Sequence, residues 1–302
     1  MQPYTRHSAH AKQANSKRNN GFRIILFAII FALGVLVGRG FLWLDGQATR
    51  IPGNPIQNEE GTAIHQPVEQ NKGFLQSTQS DAEQKVRAFA EENGLSFQDY
   101  PEELIELLER NPETEDFVLS YPLERGLSHD VNLWEYAQSD SVPLFMQWDK
   151  RWGYLDYSGE LAGLSACGPV CLSMVICYLT GDYSYSPDVM INYAINNGYC
   201  APGFGSYWTL ISAGGRAFGL DVTEFAPDKE RILANLEVGN PIICIMGPGE
   251  FTTSGHFIVL TSIENGKITV NDPNSYARSN QLWEYDSFGD QINNVWVLRN
   301  LD

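Results

Sequence analysis

Apolar residues run without interruption from Ile24 to Val37, and Gly38 to Leu44 continues the run with Arg39 as its one charge. The whole stretch reaches about 20 residues, the length a bilayer's hydrocarbon core requires of a helix. The pattern predicts a membrane-spanning signal anchor over residues 23–44, with Arg39 snorkelling toward a headgroup. A cleaved signal peptide is the alternative, although no convincing small-x-small cleavage site stands before Trp43. Residues 45–80 are rich in Gly, Pro, Gln, Asn and Ser, lack any period, and read as a flexible linker.

Periodicity returns at residue 81. DAEQKVRAFAEE (Asp81 to Glu92) predicts a short helix capped by Asp81 and stopped near Gly94. PEELIELLER (Pro101 to Arg110) predicts a second, with Leu104, Ile105, Leu107 and Leu108 on its apolar face. Val118 to Tyr121, followed by Pro122, ends this part. Residues 81–138 thus form a small helical region packed on the next domain, which spans 139–302. In that domain a helix follows Cys167, with Pro169 in its first turn and Gly181 as its stop. A second starts behind Ser186-Pro187 and ends at Gly198, a third covers Ser206 to Phe218, and a fourth runs from Asp228 to before Gly239. Four short β-branched runs follow: Pro241–Met246, His256–Ile263, Lys267–Asn271 and Asn294–Leu298. Turn residues such as Asn265-Gly266 and Asp272-Pro273-Asn274 separate them. Helices first and strands last predict an α+β domain.

Charge sharpens the N-terminal reading. Residues 1–44 hold six Lys/Arg and no Asp or Glu, which leaves 14 Lys/Arg against 37 Asp/Glu in the remainder. Under the positive-inside rule the tail 1–22 stays cytoplasmic, so the rest of the chain lies outside the cell membrane. An acidic body of this kind repels nucleic acid, which is therefore not an expected partner.

Five histidines are present: His7, His10, His65, His129 and His256. Only His256 lies in the compact domain, so any imidazole chemistry there falls to it. Five cysteines are present too, an odd number that leaves at least one thiol free. Cys167, in SACGPVC, opens a helix, where the macrodipole and unpaired N–H groups favour thiolate and can hold an oxyanion. Cys171, Cys177 and Cys244 lie among apolar residues and read as core; Cys200 has no evident place. A disulfide or metal role for Cys167 is the bland alternative. Its four-residue spacing from Cys171 makes no ordinary zinc set without a second ligand pair, which the sequence lacks, and it suits no bridge on one helix face. Asp272 follows the strand that pairs with the His256 strand through Asn265-Gly266, where it can orient the imidazole. Taken alone, Asp272-Pro273-Asn274 reads better simply as a turn, which Asp and Asn routinely cap. The glycine-rich loop Gly247–Gly255 lacks the lysine of a phosphate loop and reads as a rim beside His256. Trp148, Trp152, Trp208 and Trp283 read mostly as core.

Four strings in order, QWDKRWG (Gln147 to Gly153), SACGPVCLSMV (Ser165 to Val175), GHFIVL (Gly255 to Leu260) and VNDPN (Val270 to Asn274), resemble the papain-like cysteine peptidases related to bacteriocin leader-processing domains. The closer resemblance is to the stand-alone bacterial branch, the peptidase C39-like domains, over about residues 139–300. It implies a papain-like fold with N-terminal helices and a C-terminal antiparallel sheet. It also implies Cys167 as nucleophile, His256 as general base and acid, Asp272 as the orienting residue and Gln147 as an oxyanion donor. No cofactor and no metal are implied, and the substrate is a peptide or protein. The chain lacks the Walker motif and multi-span domain of the exporter-fused members, so that export function does not transfer. Two other functions stand beside the peptidase: a thiol amidase or acyltransferase on cell-wall peptides, and a non-catalytic surface binding module on the same scaffold.

Overall fold

The computed structural model describes residues 79–203 and 205–301. The predicted tail, signal anchor and nearly all of the linker lie outside the described residues. Among those described, no helix is long and apolar enough to cross a membrane.

Three helices come first: α1 (Asp81–Asn93), α2 (Glu102–Arg110) and α3 (Glu115–Glu124). The cap of α1 is Ser80 rather than Asp81. The Ser80 hydroxyl accepts from the Glu83 N–H at 3.1 Å, and Gly94 ends the helix in the left-handed region at φ 66°. Pro122 does not end the region as expected. It sits in the last turn of α3, where the missing N–H removes one helical bond and the helix still closes through Arg125 N–H to the Tyr121 carbonyl at 2.9 Å. Leu104, Leu107 and Leu108 are buried as their spacing predicts, whereas Ile105 is only partly covered. They share one core with Val86, Phe117 and Val118, and this core extends to Trp148, Tyr154, Leu161 and Leu164 of the following domain.

The body continues with a small hairpin, β1 (Asp156–Tyr157) and β2 (Glu160–Leu161), and the short helix α4 (Ala162–Ser165). Helix α5 (Cys167–Thr180) ends at Gly181, with φ 70°. Helix α6 (Pro187–Asn196) precedes a second hairpin, β3 (Cys200–Ala201) and β4 (Gly205–Ser206). Because Ser206 is spent in that hairpin, α7 runs from Thr209 to Ala217, three residues later than expected. Strand β5 (Leu220–Phe225) then precedes α8 (Lys229–Glu237), so helices and strands are not cleanly segregated in sequence. The strands β6 (Ile242–Met246), β7 (His256–Glu264) and β8 (Lys267–Asn271) follow. The short helix α9 (Tyr276–Ser279), β9 (Leu282–Trp283) and β10 (Ile292–Asn300) complete the described chain.

Six strands form one antiparallel sheet in the order β5-β10-β6-β7-β8-β9. The α+β class and the antiparallel sheet are therefore as expected. Both faces of the sheet are buried. Ile243, Ile245, Phe257 and Val259 face the core built by α5, α6 and α7. Ile242, Cys244, Met246, Ile258 and Leu260 face Ile232 and Leu236 of α8 together with Phe251 and Phe288. This two-sided burial is why PIICIM reads as an unbroken apolar run rather than an alternating one. Strands β7 and β8 meet through the two-residue turn Asn265-Gly266, with φ of 53° and 79°, the positive values that a type I′ hairpin turn needs. The hairpin brings the start of β7 to the end of β8.

Candidate active site

That topology places His256, the first residue of β7, beside Asp272, the first residue after β8. The His256 Nε2 lies 2.7 Å from the Asp272 Oδ1. His256 is buried, and Asp272 is wholly so. With Nε2 turned to the carboxylate, Nδ1 is the nitrogen that faces Cys167, the first residue of α5 and a half-buried thiol.

Burial by itself pushes the Cys167 thiol up. The hydrogen bond and charge of His256, aided by the backbone at Phe257 and Gly168, outweigh it and bring the thiol below its ordinary value. For His256, burial disfavours the cation, but the charge and hydrogen bond of Asp272, followed by those of Cys167, lift it to about 10. Asp272 is pushed up by burial and held below the usual carboxylate range by His256 and Arg278. These directions all favour the charged pair, a thiolate beside an imidazolium with an ionised carboxylate behind it, over its neutral form. The other buried thiols go the opposite way. Burial raises Cys171 well above an ordinary thiol, and it carries Cys177 up to about 12. All five cysteines are unpaired, and among the described residues no three His, Cys, Asp or Glu side chains group to hold a metal.

Gln147 is buried at the edge of the same site. Its N–H donates to the Pro273 carbonyl at 2.7 Å, and its Nε2 donates to the Gly163 carbonyl at 2.9 Å. An amide nitrogen carries two hydrogens, so one remains for another acceptor. The Asn271 side chain donates to the Val142 and Pro143 carbonyls, each at 3.0 Å, which ties the segment before Gln147 to the end of β8.

Gln147 and His256 line a cleft of about 1030 Å³. The Gly249–Gly255 rim lines it, as do α2 and the turn behind it, including Leu107, Arg110 and Glu113. Next to Cys167, Gly168 leaves no space: a Cβ there would stand 2.6 Å from the Ser206 Oγ. That hydroxyl lies 2.7 Å from the Tyr157 hydroxyl, so hairpin β3–β4 is fitted against the start of α5. Of the tryptophans singled out in the sequence, Trp152 and Trp283 are core, Trp148 is half-buried and Trp208 is 47% exposed. Cys200 lies in hairpin β3–β4, paired with Ser206.

The arrangement also uses residues that no sequence signal marks. Arg278 holds the Asp272 Oδ2 through Nε at 2.5 Å, and the Asn274 N–H donates to Oδ1 at 2.8 Å. The string SYARS around Arg278 has the composition of an ordinary loop.

The model of the peptidase C39 like family matches residues 139–300. The chain belongs to the peptidase C39-like family. Membership makes it a papain-like domain of the cysteine peptidase kind. Several solved structures are similar to it, among them two peptidase domains of transporters. One is the peptidase domain of Streptococcus ComA, a bi-functional ABC transporter involved in a quorum-sensing pathway, at 16% identity and TM-score 0.38, covering 53% of this chain and 99% of that one. The other is a double-glycine-motif protease from an AMS/PCAT transporter in complex with its leader peptide, at 18% identity and TM-score 0.37, covering 54% and 94%. Comparison with curated protein sequences returns no match.

Proposed function

We propose that this C39-like domain hydrolyses peptide bonds with Cys167 as nucleophile, His256 as general base and acid, Asp272 as its orienting carboxylate and Gln147 as an oxyanion donor. The observation that carries this reading is the position of His256, 2.7 Å from a fully buried carboxylate and near enough to a thiol at a helix N-terminus to bring that thiol below its ordinary value. The Cys167 sulfur attacks the carbonyl carbon, and the oxyanion that forms is met by the remaining Nε2 hydrogen of Gln147 and the Cys167 backbone N–H. As the C–N bond breaks, His256 gives its Nδ1 proton to the leaving amine. A water then attacks the thioester, passes its proton to His256, and releases the carboxylate product while the thiol is restored. Losing one oxyanion donor costs roughly 2.7–4 kcal/mol of barrier, so Gln147→Ala is expected to lower kcat far more than it changes KM.

The domain arrangement belongs to the same proposal. Residues 1–22 form a cytoplasmic tail, 23–44 the membrane anchor and 45–80 a linker. The helical region 81–138 and the peptidase domain 139–302 then stand outside the cell, where peptides or proteins are the substrates. The basic tail, the apolar run and the acidic remainder of the sequence support this orientation. The test is to incubate the full chain with unfolded proteins and to map new termini by mass spectrometry. New N-termini that disappear in Cys167→Ala support the peptidase. Termini that persist in Cys167→Ala, or products formed only by acyl transfer to an added amine, defeat it.

A further inference from the structure

Glu113, in the turn between α2 and α3, reaches across the cleft wall to the start of α9. Its carboxylate accepts from the Ser275 hydroxyl at 2.8 Å, the Tyr276 N–H at 2.6 Å and the Ala277 N–H at 3.2 Å. One side chain thus satisfies two free N–H groups of a short helix and its cap hydroxyl. The neighbouring Asn111 side chain donates to the Asn274 carbonyl at 2.6 Å. Both attachments fall within the segment 272–279, whose other functional atoms are the Asp272 carboxylate and the Arg278 guanidinium. Helix α9 is four residues long. It cannot hold its own geometry, so the position of Arg278 depends on what clamps the helix from outside.

We propose that Glu113 is a positioning residue for the catalytic site, acting by clamping α9 so that Arg278 stays on the Asp272 carboxylate and sets how much of its charge reaches His256. The proposal rests on the thiol mechanism above and deepens it. The helical region 81–124 thereby becomes a working part of the peptidase. With Arg278 on Oδ2 and His256 on Oδ1, one carboxylate serves two cations. Taking Arg278 away leaves the whole negative charge to the imidazolium and removes a positive charge from the neighbourhood. Both changes raise the proton affinity of the Cys167–His256 pair. The other groups acting on the pair are Cys171 below Cys167 on α5, Tyr157 from hairpin β1–β2, and Asp272 itself. None of these touches Glu113.

This gives the test a sign. The pH dependence of Cys167 alkylation by iodoacetamide, with the modified thiol assigned by mass mapping, is measured in the full chain, Glu113→Gln, Arg278→Gln, Arg278→Lys, the Glu113→Gln/Arg278→Gln double variant and His256→Ala. Arg278→Gln is expected to move the acid limb up by about one pH unit, with Arg278→Lys closer to the parent. Glu113→Gln is expected to move it up as well, because the glutamine amide group cannot accept the bonds that one carboxylate oxygen accepted. Acting merely through space, the loss of a negative charge would move the limb down. In the double variant Glu113→Gln adds nothing to Arg278→Gln. A limb that stays put or falls in Glu113→Gln while Arg278→Gln shifts overturns the link to Glu113, and no shift in either overturns the whole chain of contacts. Should the parent's limb lie in the ordinary thiol range and be indifferent to His256→Ala, the thiol mechanism itself fails and takes the proposal with it.

Discussion

Asp272→Asn isolates the role of charge at the site, because the shape is kept and only one oxygen changes. The side-chain oxygen that accepts from His256 and Asn274 survives. The other becomes an NH₂ facing the Arg278 Nε, two donors opposed where there had been an ion pair at 2.5 Å. That mismatch costs about 1–3 kcal/mol of stability. The larger effect is on His256. Lifting the imidazole from its ordinary 6.5 to about 10 corresponds to about 5 kcal/mol between its protonation states, and after burial Asp272 is its leading cause. Without that charge the buried ring prefers to be neutral, and Cys167 loses the cation that holds it as thiolate. Its acid limb should climb toward the ordinary thiol value of about 8.5, where only about 1% is thiolate at pH 6.5. Alkylation at that pH should therefore drop, by up to about 100-fold. Half-buried Cys200 serves as an internal reference for reagent access, and protection of buried Cys171 and Cys244 certifies the fold. An Asp272→Asn profile that overlays the parent would refute the reasoning, since no buried carboxylate could then be supporting the imidazolium.

Gly168→Ala should lower stability by roughly 1–3 kcal/mol and slow Cys167 alkylation, because the new methyl meets Ser206 at 2.6 Å; Ser206→Gly in the same chain should restore both, and failure to restore them would place the defect elsewhere. Phe117 is buried, stacked on Tyr154 at 4.6 Å between ring centres, and lies so close to Gly153 and Gly163 that neither could carry a Cβ. Phe117→Ala should cost about 3–5 kcal/mol, a fall in Tm on the order of 10 °C, and a single shifted melting transition would show that the helices and the peptidase body unfold together. The pH dependence of stability should depend on the partner thiol. A raised His256 stabilises fully below its unfolded value and loses that contribution as pH rises toward about 10. A lowered Cys167 stabilises above its unfolded value and loses that contribution as pH falls through its folded one. Between roughly pH 6.5 and 9 the two slopes oppose, so the parent's Tm should be nearly flat there, whereas Cys167→Ala should lose Tm steadily with rising pH.

Much of this site was legible because it is built from local signals. The SACGPVC string announces a thiol at a helix start, Asn265-Gly266 announces a tight hairpin, and that hairpin alone brings His256 to Asp272. Elimination among five histidines singled out His256, but the roles of Cys167, His256, Asp272 and Gln147 as one set came from the resemblance of four ordered strings to the C39-like domains. What stayed hidden has no local mark. Strand β5 lies between two helices, and LDVTEF is too short and half-exposed to stand out. Helix α3 runs through Pro122 because its last turn needs few bonds, which composition does not reveal. Arg278 and Glu113 are ordinary charges in sequence. Their meaning comes from contacts 6 and 163 residues apart in the chain, formed only once α9 and the α2–α3 turn are in place.

The contacts between the helical region and the site bear on what its helices are for. A segment that merely covered a cleft could be removed without touching the chemistry behind it. Here the segment carries Phe117, whose ring fills the space beside Gly163, and the Gly163 carbonyl accepts from Gln147. It also carries Asn111 and Glu113, which hold the residues just after Asp272. Both ends of the site, the oxyanion side and the carboxylate side, thus lean on residues 111–117. The same turn lines the cleft at Arg110 and Glu113, so a substrate bound there would press on the very residues that hold α9. If Glu113 positions Arg278 as proposed, a peptide bound along that wall should shift the acid limb of Cys167 alkylation, and a limb unmoved by bound peptide would argue against such coupling.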